Sequence, residues 1–420
     1  MATSTTEIMK ETTPPMALKR QPILSLSCDL WTDVWHSRQH LLSRISRENP
    51  VLYVTDPFHV RDAVKGLWST DRISTGLSKI TDTLYSYVPP RWLPYNYRLP
   101  WLNRTTSKLR IKQVREALHR LGMQRPVMYM WHPSFADMLG QFDESLVVYH
   151  CYDEYYDFPG ISATDREQIQ HQEEAILARA DIVFAASTSI YERKLRRNAN
   201  TYLMRNGVNY PLFATAQEPE TRVPEDLQRI PRPVIGCVTR IVDDYFDLHL
   251  MRQVFTRRPD WSLVVVGPED TRSFDKKREL EALKKLPNVY LLGRRDQAEI
   301  PAYLKGFDVC LIAYPIIDVV LHTESPLKMM EYLAAGKPIV SPQLPLLSYL
   351  DEVIHFAQGV DGWIAAIEQA LNENTAEIIE RRQAVGRENS WDHKARFISG
   401  KLAEELDRRR ESELHEQALR

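Results

Sequence analysis

The sequence predicts an α/β protein built from two doubly wound parallel sheets, and three observations carry that expectation. Short apolar runs alternate with helix-period stretches through the first half: "PILSLS", "HSRQHLLSRISRE", "VLYVTDP", "PVMYMW", "SLVVYHCYDE", "EEAILARA" and "DIVFAAS". The same rhythm restarts with "RPVIGCVTR", "DLHLMRQVFTRRP", "WSLVVVGPE", "NVYLLGRR", "AEIPAYLKG", "FDVCLIAYP" and "VIHFA". At 420 residues, the chain also exceeds what one hydrophobic core usually supports.

In chain order, residues 1–20 are polar and Thr/Pro-rich, without the apolar run of a signal peptide, and are expected to form a disordered leader. Residues 21–207 form the first expected domain. The stretch 208–232, rich in Pro and charge and without clear periodicity, is expected to be an interdomain linker. Residues 233–389 form the second domain. Residues 390–420 have a helical pattern too charged at its end for a core, so the last turns should fray.

Composition narrows the function classes. A hydrophobic share of 43%, a charged share of 26% and a net charge of −2 are ordinary for a globular protein and give no general reason to expect nucleic acid binding. Cys28, Cys151, Cys237 and Cys310 lie far apart with no C-x-x-C pair, which argues against a zinc site and a disulfide framework and fits a reduced, cytoplasmic compartment. No uncharged apolar run reaches about 18 residues, so any membrane contact should be peripheral.

The segment "HTESPLKMMEYLAAGKPIVSP" (322–342) carries the clearest chemistry. Pro326 suits the first turn of a helix, with Ser325 as its N-cap, and Gly336 and Pro338 end it. The first turn directs free N–H groups and a dipole toward the loop after a strand, and Lys328 adds a full charge: an anion site. Glu331, one turn on, suits paired hydroxyls such as those of a ribose. The plainer alternative is a surface ion pair on a capped helix.

"SPLKMMEYLAAGKPIVSP" and the upstream "LLGRRDQAEIPAYLKGFDVCLIAYP" resemble the donor-binding signature of the retaining GT-B glycosyltransferases of the large family 4, in particular a branch associated with bacterial envelope and extracellular polysaccharides. The resemblance extends to "RADIVFAASTSIYERKLRRNANTYLMRNGVN" and "WHSRQHLLSRIS" and so covers most of residues 23–400. It implies two Rossmann-like domains facing a cleft, with the C-terminal helix returning to the first. A helix N-terminus at Ser325, Pro326 and Leu327 would hold a nucleotide diphosphate, and Glu331 would bind the ribose. The family often has a second Glu eight residues before that one, where this chain has Thr323, with Glu324 beside it. The family's Arg and Lys pair is half present, as Arg240, with Tyr245 at the Lys position; Lys328 would supply the missing charge.

Other candidates have structural alternatives of their own. Arg240 ends a strand and could grip phosphate, or pair with Asp243 or Asp244. Gly293, Arg294 and Arg295 resemble the segment that reads the nucleobase, though the arginines would equally suit a solvated turn. His132 resembles a His that faces the donor sugar, although a lone His is commonly structural. Asp153 and Glu154 resemble an acceptor-side loop, and Trp31 and Trp35 would suit an aromatic acceptor. Residues 91–120 hold eight Lys/Arg against one Glu, interleaved with Trp92, Tyr95, Tyr97 and Trp101, and suit either an anionic membrane interface or a packed loop with a solvated helix.

The resemblance implies a glycosyltransferase with catalytic His132, Arg240 and Lys328, using a nucleotide-diphosphate sugar (UDP first, GDP second) as donor substrate, with no permanently bound cofactor. The partners implied are that nucleotide sugar and an acceptor glycan, lipid-linked glycan or small molecule; nucleic acid is not expected. By the same resemblance, transfer would be retaining. No metal is expected, because no Asp-x-Asp stands at a strand end. The rivals are a nucleotide-sugar epimerase on the same fold and a catalytically silent scaffold.

Overall fold

The computed structural model describes residues 15–31, 35–55, 74–90, 93, 100–157, 161–242, 245–271, 273–316 and 326–418. They fall into two compact units. The first holds the described residues up to Ala185 with Ile190–Tyr202 and those from Ala395 onward; the second holds Ala186–Ser189 and Leu203–Lys394.

The first half of the chain runs β1 (Ile23–Ser27), α1 (Ser37–Ile45), β2 (Val51–Thr55), β3 (Gly76–Lys79), β4 (Leu84–Val88), α2 (Pro100–Arg120), β5 (Val127–Met130), β6 (Leu146–Cys151), α3 (Ala163–Leu177), β7 (Ile182–Ala185), α4 (Thr188–Leu195) and β8 (Thr201–Leu203). These strands form one sheet in the order β3-β4-β2-β1-β5-β6-β7-β8, in which β3 runs antiparallel to β4. Strand order reverses between β1 and β5, which pair in parallel from Ile23 opposite Val127 to Leu26 opposite Met130.

The second half runs α5 (Tyr210–Ala214), α6 (Glu225–Gln228), β9 (Val234–Val238), α7 (Leu248–Arg257), β10 (Ser262–Val266), α8 (Phe274–Lys284), β11 (Val289–Gly293), α9 (Ile300–Gly306), β12 (Val309–Leu311), α10 (Leu327–Ala334), β13 (Ile339–Pro342), β14 (His355–Ala357), α11 (Gly359–Asn372), α12 (Ala376–Glu388) and α13 (Trp391–Ala418). Its sheet has the order β11-β10-β9-β12-β13-β14, the 3-2-1-4-5-6 arrangement of dinucleotide-binding folds. Both faces are covered: Val234, Val264 and Cys310 pack into one core, and Ile235, Cys237, Leu263, Val265 and Val309 into the other. Burial on both faces is why these strands read as continuous apolar runs.

The stretch 208–232 differs from a free linker. Phe213, Ala216, Leu227 and Ile230 are buried in the second unit's core, on short helical turns too brief to give a periodic signal. Helix α13 is continuous over 28 residues, and from Ala395 it packs within the first unit. There Ser399 Oγ accepts from the Leu18 N–H at 2.7 Å, and Arg409 reaches the Ser145 carbonyl and Asp181.

Two glycines are required by their surroundings. Gly336, at φ +67°, closes α10 in a Schellman arrangement: its N–H donates to Leu333 O at 2.9 Å and the Lys337 N–H to Tyr332 O at 3.0 Å. Gly267, after β10, has φ +150°, and a Cβ there would lie 1.9 Å from the Thr239 carbonyl oxygen. Gly267→Ala is therefore expected to destabilise the protein by roughly 2–4 kcal/mol, since backbone must move to admit a methyl group. Denaturant unfolding measures this; a loss below about 0.5 kcal/mol would contradict the close approach.

Candidate functional site

In open α/β sheets, ligands bind beyond the carboxyl ends of strands where the strand order reverses. In the second unit that place is the end of β9 beside the end of β12. Thr239 and Arg240 follow β9, and α10 is the first described helix after β12. The two are joined directly: Lys328 Nζ donates to Thr239 Oγ1 at 2.5 Å and lies 5.6 Å from the centre of the Tyr314 ring. Tyr332, on the same helix, places its hydroxyl 2.8 Å from the Val238 N–H, which donates to it. The end of β10 joins as well, because Gly267 packs on the Thr239 carbonyl and donates its N–H to Gly293 O at 2.8 Å. Three neighbouring strand ends thus meet around Thr239 and Arg240.

Helix α10 begins one residue later than expected. Pro326, with ψ 126°, is the N-cap, and Leu327 is the first helical residue. An extended ψ at Pro326 turns the chain into the helix without a side-chain cap. The Met329 N–H donates to Pro326 O at 3.0 Å, whereas those of Leu327 and Lys328 have no acceptor inside the helix.

The electrostatics are those of a site short of negative charge. Burial pulls the Lys328 ammonium below its ordinary value; Cys237 and Glu331 oppose this, and Arg240 adds to it. Arg240 is therefore near enough for the two cations to repel. Its guanidinium is exposed and, among the described residues, pairs with Asp270 at 3.7 Å, a surface pair weak enough to be exchanged for a ligand. Glu331, partly buried, has its carboxyl pushed up to about 7 by burial, with Lys328 opposing. Two cations, open helix N–H groups and one carboxyl fit a ligand with a dianionic group and vicinal hydroxyls.

Gly293, Arg294 and Arg295 lie at the end of β11. Gly293 has φ +72° and Arg294 is exposed, whereas Arg295 is tied down: its Nε donates to the Tyr303 hydroxyl at 2.6 Å and its guanidinium reaches Asp226 at 2.9 Å. Tyr245 is exposed and meets the Tyr314 ring edge-on at 5.7 Å. Thr323, Glu324 and Ser325 lie outside the described residues, as do Asp243 and Asp244.

In the first unit, the reversal between β1 and β5 gathers a second set. Beyond β1, Trp31 is buried and Trp35 exposed; their rings meet at 5.9 Å, and Trp31 also packs on Tyr53 at 5.2 Å. Beyond β5, His132 Nδ1 accepts from the Ser134 N–H at 3.1 Å, which leaves the ring proton of the neutral form on Nε2. Beyond β6, Tyr155 meets the His132 ring at 4.3 Å and donates its hydroxyl to Trp131 O at 2.9 Å. Asp153 is exposed; desolvation by the protein behind it raises its carboxyl, Arg38 opposing and Glu154 adding. Glu154 is mostly buried and engaged by Lys194 at 3.0 Å.

Helix α2 exposes Lys108, Lys112, Arg115 and Arg120; Trp92, Tyr95 and Tyr97 lie outside the described residues. Among the described residues, no three His, Cys, Asp or Glu side chains are grouped to hold a metal, and no helix is long and apolar enough to cross a membrane.

Residues 232–381 match the family model for glycosyl transferases group 1. The chain is 30% identical over 246 residues to the putative teichuronic acid biosynthesis glycosyltransferase TuaH of Bacillus subtilis (strain 168), an alignment covering 55% of this chain and 59% of that protein. The chain thus spans less than two thirds of that relative's length. Its fold is shared with sucrose-phosphate synthase from Thermosynechococcus elongatus (TM-score 0.59, 18% identity, 92% of this chain and 99% of that one). HepE of Anabaena in complex with UDP has the same fold (TM-score 0.59, 14% identity, 91% and 100% covered). The chain has the GT-B fold, and its second unit resembles the glycosyl transferases of group 1.

In this GT-B chain, sequence reasoning did not single out Thr239, Tyr314, Tyr332 or Tyr155. Thr239 had a signal, its place between the apolar "IGCV" run and Arg240. The tyrosines had none, because their roles depend on partners from 14 to 94 positions away in the chain.

Proposed function

We propose that the protein transfers a sugar from a nucleotide-diphosphate sugar, a UDP-sugar first, to a glycan acceptor in polysaccharide biosynthesis, with retention and without metal. The observation that carries this is the convergence of Arg240 and Lys328 beside Glu331 at the reversal between β9 and β12. The diphosphate occupies the N-terminal turn of α10, and Glu331 accepts from the ribose hydroxyls. As the glycosidic bond breaks, charge grows on the departing diphosphate; Arg240, Lys328 and the helix N–H groups stabilise it in place, preorganised electrostatics of the kind that usually dominates catalysis. His132, with its proton on Nε2, is a hydrogen-bond donor in the transfer. Trp31, Trp35 and Asp153 form the acceptor side.

The name of the B. subtilis relative supports an envelope polysaccharide as product, and the UDP complex of HepE supports uracil as base. The exposed cations of α2 fit an anionic membrane surface as the place of work.

The test is transfer from a panel of UDP-sugars in the presence of EDTA, with proton NMR of the product's anomeric centre. One UDP-sugar is expected to be consumed with its anomeric configuration kept. Inversion, or loss of turnover on chelation, would contradict the proposal; turnover of donor to a free epimer would favour the epimerase.

A further inference from the structure

The first unit contains an ion network that the proposed reaction does not use. Lys194, on α4, is 3% exposed and lies between two carboxylates, Glu154 Oε2 at 3.0 Å and Glu173 Oε2 at 2.7 Å. Glu173, on α3, also accepts from the Tyr149 hydroxyl at 2.8 Å and faces Cys151 Sγ at 3.6 Å. Arg193 lies 3.6 Å from Glu154 and 3.1 Å from Asp157, and Arg166 reaches Asp157 at 3.1 Å. Three cations from two helices thus balance three carboxylates. Two of those carboxylates, Glu154 and Asp157, flank Tyr155.

Burial alone favours neutralising Lys194. Cys151, Glu173 and Glu154 outweigh it and raise the ammonium above its ordinary value. Such a network is a poor way to gain stability, since well-packed apolar side chains serve as well. What it does supply is geometry. The segment Asp153–Asp157 is pinned on both sides of Tyr155, whose hydroxyl fixes the Trp131 carbonyl and whose ring abuts His132.

We infer that Lys194 is a positioning residue: through Glu154 it fixes the segment that carries Tyr155, and through Tyr155 the orientation of the His132 ring. This rests on the proposed role of His132 in transfer, but its first test needs no substrate. Heteronuclear NMR of the histidine rings, with His132 assigned from a His132→Gln spectrum, compares wild type with Glu154→Gln. That variant frees one side of Lys194 while leaving its partner Glu173. The His132 signals are expected to shift and broaden while those of the other histidines stay in place. Unmoved His132 signals in folded Glu154→Gln would overturn the inference.

The second test is kinetic. Glu154→Gln is expected to lower kcat roughly ten- to hundred-fold, the scale of a misplaced reacting group, with UDP affinity within twofold of wild type. Tyr155→Phe should lose a similar factor, and the double variant no more than either alone. Losses that multiply, or UDP affinity falling in step with kcat, would overturn it. Lys194→Met leaves two buried carboxylates facing no lysine and is open to misfolding, so Lys194→Arg supplies the conservative rescue: kcat within threefold of wild type is expected. Failure of the wild type to turn over any UDP-sugar would count against the proposed reaction, with the ring signals still deciding the positioning role.

Discussion

Lys328→Ala is expected to weaken UDP binding roughly ten- to hundred-fold while the protein stays folded. A hydrogen bond to a charged group contributes about 1.5–3 kcal/mol net, and about 1.4 kcal/mol corresponds to a factor of ten in affinity. The free protein loses little, because burial already disfavours the Lys328 charge and Arg240 repels it. Among the described residues, the hydrogen bond given up is that to Thr239 Oγ1, a hydroxyl at a sheet end. Thermal unfolding should therefore change little, and titration of UDP into the variant gives the loss. Undiminished affinity would remove Lys328 from the site.

Glu331→Gln should stabilise the protein at pH 8 and not at pH 5. Burial raises the folded-state carboxyl from 4.5 to about 7. An acid raised on folding holds its proton more tightly in the native state. Its contribution to stability is thus complete below about 4.5 and is lost as pH rises through 7. Above that, wild type carries a buried carboxylate at a cost of at most about 3 kcal/mol, which glutamine avoids. Unfolding midpoints of both proteins at the two pH values measure the difference. An equal gap at both would contradict the raised value. The same variant should bind UDP more weakly, because a carboxylate beside Lys328 is the better acceptor for ribose hydroxyls. A residue that costs stability near neutral pH and strengthens binding is what a functional site is expected to hold.

The fold was legible because strands buried on both faces leave continuous apolar runs, and the helices between them leave 3.6-residue patterns. The strand-end positions of Arg240 and of the helix carrying Lys328 were legible for the same reason: "IGCVTR" and "VCLIAYP" are recognisable as strand ends at a sheet's carboxyl edge. What was not legible depends on distant partners. Arg295 is engaged by Asp226, 69 positions away, and Glu154 by Lys194, 40 positions away. No local pattern distinguishes these from residues that await a ligand. The stretch 208–232 misled for a different reason: Phe213, Leu227 and Ile230 each fill the core singly, between prolines and charges that dominate the composition.

The most direct test of a nucleotide site at the reversal between β9 and β12 is calorimetric titration of the wild-type protein with UDP, GDP, TDP and ADP. UDP is expected to bind in the micromolar range and the other three at least tenfold more weakly. Binding of none of the four would contradict a donor site at Arg240, Lys328 and Glu331.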